Sequence, residues 1–186
     1  MEPGTIENQV LEALGRSKLL YEVIACDPAF ADTAQFCAEY GYALEKSANT
    51  IVVASKRPPG QFAACVVLAT TRLDVNRKVR DVLGVRKLSF ASAEATREVT
   101  GMMIGGVTPF ALPSSIPLLI DDRVVALDWV ILGSGTRSSK IKASPRMLLE
   151  LPMARRRLSL RRAPKRLLLC GDSPEKTTSC SCIDAS

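Results

Sequence analysis

Apolar positions along this chain fall into short segments that switch between a helical and a strand period. Over residues 5 to 20, TIENQVLEALGRSKLL, Ile6, Val10, Leu11 and Leu14 recur at helical spacing behind Thr5, whose hydroxyl can cap a first turn, so the pattern predicts an amphipathic helix. Tyr21 to Cys26 reads as a short strand. Asp27-Pro28 then supplies a cap and a proline at the first helical position, and the helix they open runs to about Tyr40 and stops at Gly41. ANTIVVAS (48 to 55) is a β-branched run, KRPPG is a turn and QFAACVVLAT (61 to 70) is a second strand, which together predict a hairpin. LDVNRKVRDVLG predicts a helix closed by Gly84, VRKLSF a strand, and SAEATREVTG a short helix capped by Ser92 and ended by Gly101.

Beyond an apolar loop, IPLLIDDRVVALDWVILGSG reads as a strand, a turn at Asp121-Asp122, a second strand and a third from Val130. KIKAS is a further strand, and SPRMLLEL a last helix with Ser144 as cap and Pro145 at its first position. Strands and helices intermixed with hairpins define an α+β fold, a mixed and largely antiparallel sheet with flanking helices. Two hairpins interrupt the βαβ rhythm that a doubly wound sheet needs.

The loop itself, MMIGGVTPFALP (102 to 113), opposes its own pattern. A run this apolar favours burial, yet Gly105 and Gly106 give up side-chain packing and Pro109 gives up a backbone donor. Two readings follow: a tight structural corner, or a wall of backbone that a ligand approaches closely.

Composition narrows the chemistry. At 186 residues, 47% of them apolar and 24% charged, the chain suits one compact globular domain. No window approaches the ~18 uninterrupted apolar residues of a membrane span, and the acidic N-terminus has no apolar leader-like core, so a cytoplasmic protein without a membrane partner is expected. Cys26, Cys37 and Cys65 sit singly in apolar segments, as reduced core residues do, and Cys180-Ser-Cys182 is too short a motif for a metal site. The chain has no histidine, which removes His general acid/base chemistry, Ser-His or Cys-His nucleophiles and His-ligated zinc. No metal and no cofactor is expected.

The charge is uneven. Residues 1 to 152 hold 17 Lys/Arg against 16 Asp/Glu, whereas residues 153 to 186 hold 8 against 3. Pro152 is taken as the domain end, followed by a basic, Ser- and Cys-containing tail over 153–186. The tail reads either as an arginine-rich arm that neutralises phosphates or as a solvated terminus.

Other polar groups each have a plain structural rival. GSGTR (133 to 137) could cradle a phosphate through converging backbone N–H groups, or form a glycine-rich turn between strands; the P-loop spacing is absent. Lys46 and Asn49 flank the start of the 48–55 strand and could face a cleft, as could any polar strand entrance. Asp121-Asp122 is most economically a hairpin turn.

Taken in order, SANTIVVAS, ATTRLDVNRKVRDVLGVRKLSFASAEATREVTGMMIGGVTPFALP, IPLLIDD and GSGTRSSKIKASPRMLLEL resemble the YbaK family, the prolyl-tRNA-synthetase-associated editing domains, over about residues 20 to 151. The resemblance implies an α+β fold and metal-free hydrolysis of the ester of mischarged tRNA by a free-standing aminoacyl-tRNA deacylase. It also implies a pocket walled by Gly105, Gly106, Val107, Thr108 and Pro109, with Gly105 and Gly106 offering backbone N–H groups to an ester carbonyl. Family members carry Ala-Lys-Thr at the start of the first hairpin strand; this chain has Ala48-Asn49-Thr50, so Asn49 takes the lysine's place without its charge. Lys46 could replace that lysine only from outside the strand proper, because three residues along a strand span about 10 Å and end on the opposite face.

Asn49, Gly105 and Gly106 are thus the expected catalytic residues. Lys46, Thr50, Thr108, Pro109, Gly133, Ser134, Gly135 and Arg137 are the expected substrate-binding residues. Mischarged tRNA, and with it an aminoacyl-tRNA synthetase, are the expected partners. The alternative is a non-catalytic tRNA- or synthetase-binding protein on the same scaffold. Family members close on an apolar strand after the last helix, whereas LPMARRRLSLRR turns abruptly basic, which implies a sheet lacking an edge strand.

Overall fold

The computed structural model describes residues 5–161. Among the described residues, two sheets and six α-helical segments make an α+β fold. Helix α1, Ile6–Gly15, opens as the pattern predicts, with Thr5 Oγ1 accepting from the Asn8 N–H, and buries Val10 and Leu14. Strand β1, Tyr21–Ala25, pairs antiparallel with β7, Ser139–Ala143, which pairs antiparallel with β6, Val130–Gly133, giving a three-stranded sheet. The predicted helix from Asp27 is split. Pro28–Phe30 forms one 3₁₀ turn capped by Asp27, the chain turns extended at Asp32, and α2, Thr33–Tyr40, starts afresh and ends at Gly41 in the left-handed conformation. That break matters, because it aims the start of α2 at the candidate site.

The hairpin forms as expected from β2, Ala48–Arg57, and β3, Pro59–Leu68. The second sheet runs β4-β2-β3-β5-β8, with β4 being Lys87–Phe90, β5 Leu118–Asp121 and β8 Ala154–Leu158. Between β3 and β4 the predicted helix forms as a π-helical turn, Val75–Val79, continued by α3, Arg80–Leu83. Asp74 Oδ1 caps it by accepting from Arg77 N–H, and Gly84 ends it. Helix α4, Ala93–Thr100, has the Ser92 cap and Gly101 stop read from the sequence.

Three expectations are corrected. Asp121-Asp122 is not a hairpin turn: Asp121 is fully buried and caps α5, Asp122–Val125, so β5 and β6 lie in different sheets and β5 runs parallel to β3. The last helix, α6, is only Met147–Glu150, with Ser144 and Pro145 in a preceding turn. The sheet does not lack an edge strand, and ordered chain continues past Pro152: β8 pairs parallel with β5, and Leu160 beyond it is fully buried. An edge strand needs backbone pairing on one side only, so an arginine-rich sequence does not prevent it from forming. Asp121 holds this segment, its carboxylate accepting from both the Arg123 N–H (3.1 Å) and the Leu160 N–H (2.8 Å). The rest of the expected tail, 162–186, lies outside the described residues.

The core has two parts across the five-stranded sheet. One joins α1, the Gly-Gly-Val loop and β6/β7 to one face; the other packs Val75, Val79 and Leu160 on the opposite face. A smaller aromatic cluster around Phe36 lies under the three-stranded sheet.

Candidate functional site

A cavity of about 360 Å³ opens where four segments meet: the start of α2 (Asp32, Thr33, Ala34), the first residues of β2 (Ala48 to Ile51), the loop at Ile104, Gly105 and Val107, and the facing strand ends at Gly133 and Lys140. Its lining is small and apolar at Ala48, Ile51, Ile104 and Val107, and polar at Asn49, Thr50 and Lys140.

Asn49 lies in the cavity wall, as its place at the strand entrance suggested. Its Oδ1 accepts a hydrogen bond from Thr33 Oγ1 at 2.6 Å, which ties β2 to the first residue of α2. The amide N–H groups of Asn49 have no partner among the described residues and remain available as donors. Thr50 also lines the cavity, and its buried Oγ1 has no hydrogen-bond partner.

The glycine loop is more specialised than expected. Gly105 has φ +90°, a conformation that favours glycine, and it faces the cavity. Its N–H has no partner among the described residues, whereas the Gly106 N–H is already committed to Met103 O at 3.1 Å. Only one of the two predicted oxyanion donors is therefore free. Gly106 instead serves packing: its carbonyl accepts from Gly135 N–H at 2.7 Å, and a Cβ on it would lie 2.8 Å from Thr136 O. Gly133 meets the same loop from the other side, where a Cβ would lie 2.4 Å from Val107 O. The two glycine-rich segments thus pack main chain against main chain, and GSGTR is a structural partner of the loop.

Several predicted residues lie behind this wall. Thr108 is fully buried, its N–H donating to Met102 Sδ and its Oγ1 accepting from Phe110 N–H; Pro109 is buried beside it. Ser134 is spent on the Ser139 carbonyl at 2.8 Å. Arg137 reaches over Gly105 to the other side of the site, donating to Pro28 O at 3.0 Å and pairing with Asp32 at 3.4 Å. Lys46 is not in the cavity. Its ammonium pairs with Asp128 at 2.9 Å and lies 4.6 Å from the Trp129 ring centre, so it does not replace the charge missing at Asn49.

The sequence reading missed Lys140. Strand alternation gives Lys140 and Lys142 the same face of β7, and a pair of lysines on one face reads as solvated. Lys142 fits that reading, pairing with Glu22 near the surface. Lys140 is covered by the Phe36 cluster and is only 3% exposed. Its Nζ donates to the Ala31 carbonyl and, at 3.2 Å, to the Gly105 carbonyl, joining the two opposite walls of the cavity. Burial pushes its pKa below the ordinary lysine range, as does the nearby Arg137 guanidinium, against the pull of Cys26 and Asp32. Among the cavity-lining side chains it is the one cation.

A family model for the aminoacyl-tRNA editing domain matches residues 27–151, and the chain belongs to that family. Solved structures share the fold. The hypothetical protein APE2540 is 27% identical with a TM-score of 0.69, over 76% of this chain and 92% of that one. A candidate trans-editing enzyme for prolyl tRNA synthetase is 23% identical with a TM-score of 0.72, over 87% of this chain and all of that one. A scaffold used for epitope backbone grafting is 20% identical with a TM-score of 0.71 over the same shares. No helix among the described residues is long and apolar enough to cross a membrane.

Proposed function

We propose that the protein hydrolyses the ester joining a small, wrongly attached amino acid to the 3′ end of tRNA. One observation carries the reading: in an editing-domain chain, a cavity of about 360 Å³ sets a small apolar lining beside two uncommitted donors, the Asn49 amide and the Gly105 N–H. The amino-acid side chain fits among Ala48, Ile51, Ile104 and Val107, and larger cognate side chains are excluded by size, the logic of a double sieve. In the reaction a water oxygen bonds to the ester carbonyl carbon, and the bond from that carbon to the ribose oxygen breaks. The departing ribose oxygen takes up one proton of that water and becomes the hydroxyl, the second proton passes to solvent, and the amino acid leaves as its carboxylate.

Aminoacyl esters are already reactive, so the site has only to orient the ester, polarise its carbonyl and place a water. Gly105 N–H is suited to the carbonyl oxygen, and the Asn49 amide to a ribose hydroxyl or the attacking water. Lys140, its ammonium committed to two backbone carbonyls, is a positioning residue that fixes the Gly105 wall. The fold shared with a candidate trans-editing enzyme for prolyl tRNA synthetase supports testing mischarged prolyl-tRNAs first.

The test is a panel of mischarged tRNAs. At least one pair should be deacylated on the order of 100-fold faster than in buffer, in line with what a preorganised carbonyl donor contributes. No pair cleared above the buffer rate would overturn the hydrolase reading, and tRNA binding without cleavage would then establish the non-catalytic alternative.

A further inference from the structure

The charge of the folded body is segregated, and the basic part lies at one end. Between residues 56 and 87 the chain holds eight Lys/Arg against two Asp/Glu, so the other positions up to 152 hold nine against fourteen. Neither acid in that stretch offsets the excess freely: Asp74 is buried as a helix cap, and Asp81 is paired with Arg80 at 2.8 Å.

The topology gathers this stretch into one region. Arg57, at the end of β2, is the register partner of Lys87 on β4, and its carbonyl accepts from Arg86 N–H at 2.9 Å. The π-helical turn that carries Arg77 and Lys78 packs on the same two strands through Val75 and Val79, which share a core cluster with Val53 and Leu88. Lys56, Arg57, Arg77, Lys78, Arg86 and Lys87 are all exposed, and none has an ion-pair partner among the described residues.

Concentrated cations without counter-charges repel one another, and the arrangement fits a polyanion with regularly spaced charges. The patch shares a strand with the candidate site. The cavity is lined by β2 up to Ile51, and Arg57 lies six residues further along, roughly 20 Å at the rise of a strand. We propose that this end of the β2–β4 strand pair, with the π-helical turn, is a docking surface for the sugar-phosphate backbone of RNA, placing the paired arm of a tRNA along β2 while its 3′ end occupies the cavity. The surface reads no bases. It supplies phosphate contacts that set affinity and orientation. The placement of the 3′ end rests on the proposed deacylase reading; the backbone contact does not.

The experiment measures affinity of the full chain for uncharged tRNA across a salt series, for the wild type, Arg57→Glu/Lys87→Glu, Arg77→Glu/Lys78→Glu and a control, Arg16→Glu, exposed at the C-cap of α1. Each double variant should bind at least about 10-fold more weakly and lose about two units from the slope of log affinity against log salt, one for each phosphate contact. The control should match the wild type. Circular dichroism and melting confirm folding, and two variants on different elements keep one misfolded protein from deciding the result. Unchanged affinity in both folded double variants overturns the proposal, as does an equal loss in the control. Selective loss of binding to phosphatidylserine vesicles with tRNA binding intact would assign the patch to a membrane surface and also overturn it. Deacylation of an aminoacylated CCA trinucleotide separates the two ideas. If the variants cleave it normally but bind tRNA weakly, both stand; if wild type cleaves nothing yet shows the salt-dependent loss, only the hydrolase reading falls.

Discussion

Gly133 and Val107 approach so closely that a methyl group has no place between them, which makes Gly133→Ala a sharp test of the packed loops. The added carbon would meet a backbone oxygen at 2.4 Å, and backbone yields less readily than a side-chain tip, so about 1–3 kcal/mol of stability should be lost, read as a fall in melting midpoint. Lys140 makes a second residue-scale prediction. Lys140→Met keeps the bulk but leaves the Ala31 and Gly105 carbonyls without their donor, and should cost about 1–3 kcal/mol. If Lys140 positions the Gly105 wall, the variant should also lower kcat about 10- to 100-fold with little change in KM, and Lys140→Arg should restore part of the loss. Equal kcat in wild type and Lys140→Met would show the residue to be structural only. Asn49 was legible as a candidate because it stands where the resembling family carries a lysine, a polar strand entrance alone being shared with Lys46, which lies outside the cavity. Lys140 was not, because the alternation that placed it beside Lys142 contains no information about what covers either one.

The elements that agree with the sequence are those with local stop and start signals: Thr5 and Ser92 as caps, and Gly41, Gly84 and Gly101 at helix ends. Elements that differ were set by partners far along the chain. DDRVV has β-branched residues enough for a strand, yet Asp121 is used as a helix cap and as the acceptor for Leu160, and the strand option loses. LPMARRRLSL carries three successive arginines in its middle, yet the free edge of β5 recruits it. This second case gives an element-scale prediction. A chain ended at Pro152 removes β8 and the buried Leu160, so its melting midpoint should fall by about 10 °C or more, the scale expected for losing a few kcal/mol in a domain of this size. Asp121→Ala should produce part of the same loss by orphaning the Leu160 and Arg123 N–H groups, and the two changes together should be less than additive.

For the whole molecule, stability at alkaline pH should depend on Cys65. This thiol is fully buried on β3, and burial pushes its pKa up to about 12 from an ordinary 9.0. The folded state therefore holds a proton that the unfolded chain releases, so the contribution is fully present below pH 9 and is lost as pH rises from there toward about 12. Measured by urea unfolding, the advantage of wild type over Cys65→Ala should narrow by about 1.4 kcal/mol per pH unit above pH 9. A constant difference across that range would mean that the thiol is not shielded in the fold. The segregation of charge is also a whole-molecule property. A net of nearly zero over the body conceals a basic end and an acidic remainder, and only the pairing of β2 with β4 and the packing of the π-helical turn bring the basic residues together.

Sequence by itself determined the α+β class, most element starts and stops and the exclusion of histidine chemistry, because propensity, capping and periodicity are properties of neighbouring residues, while the Gly-Gly-Val loop and Asn49 became site candidates through the resemblance to the editing domains. Tertiary structure alone decided that Gly106 and Gly133 serve loop packing, that Lys46 lies outside the cavity and that Lys140 lies within it. Those outcomes turn on burial and on contacts between residues far apart in the chain, and no local pattern carries that information.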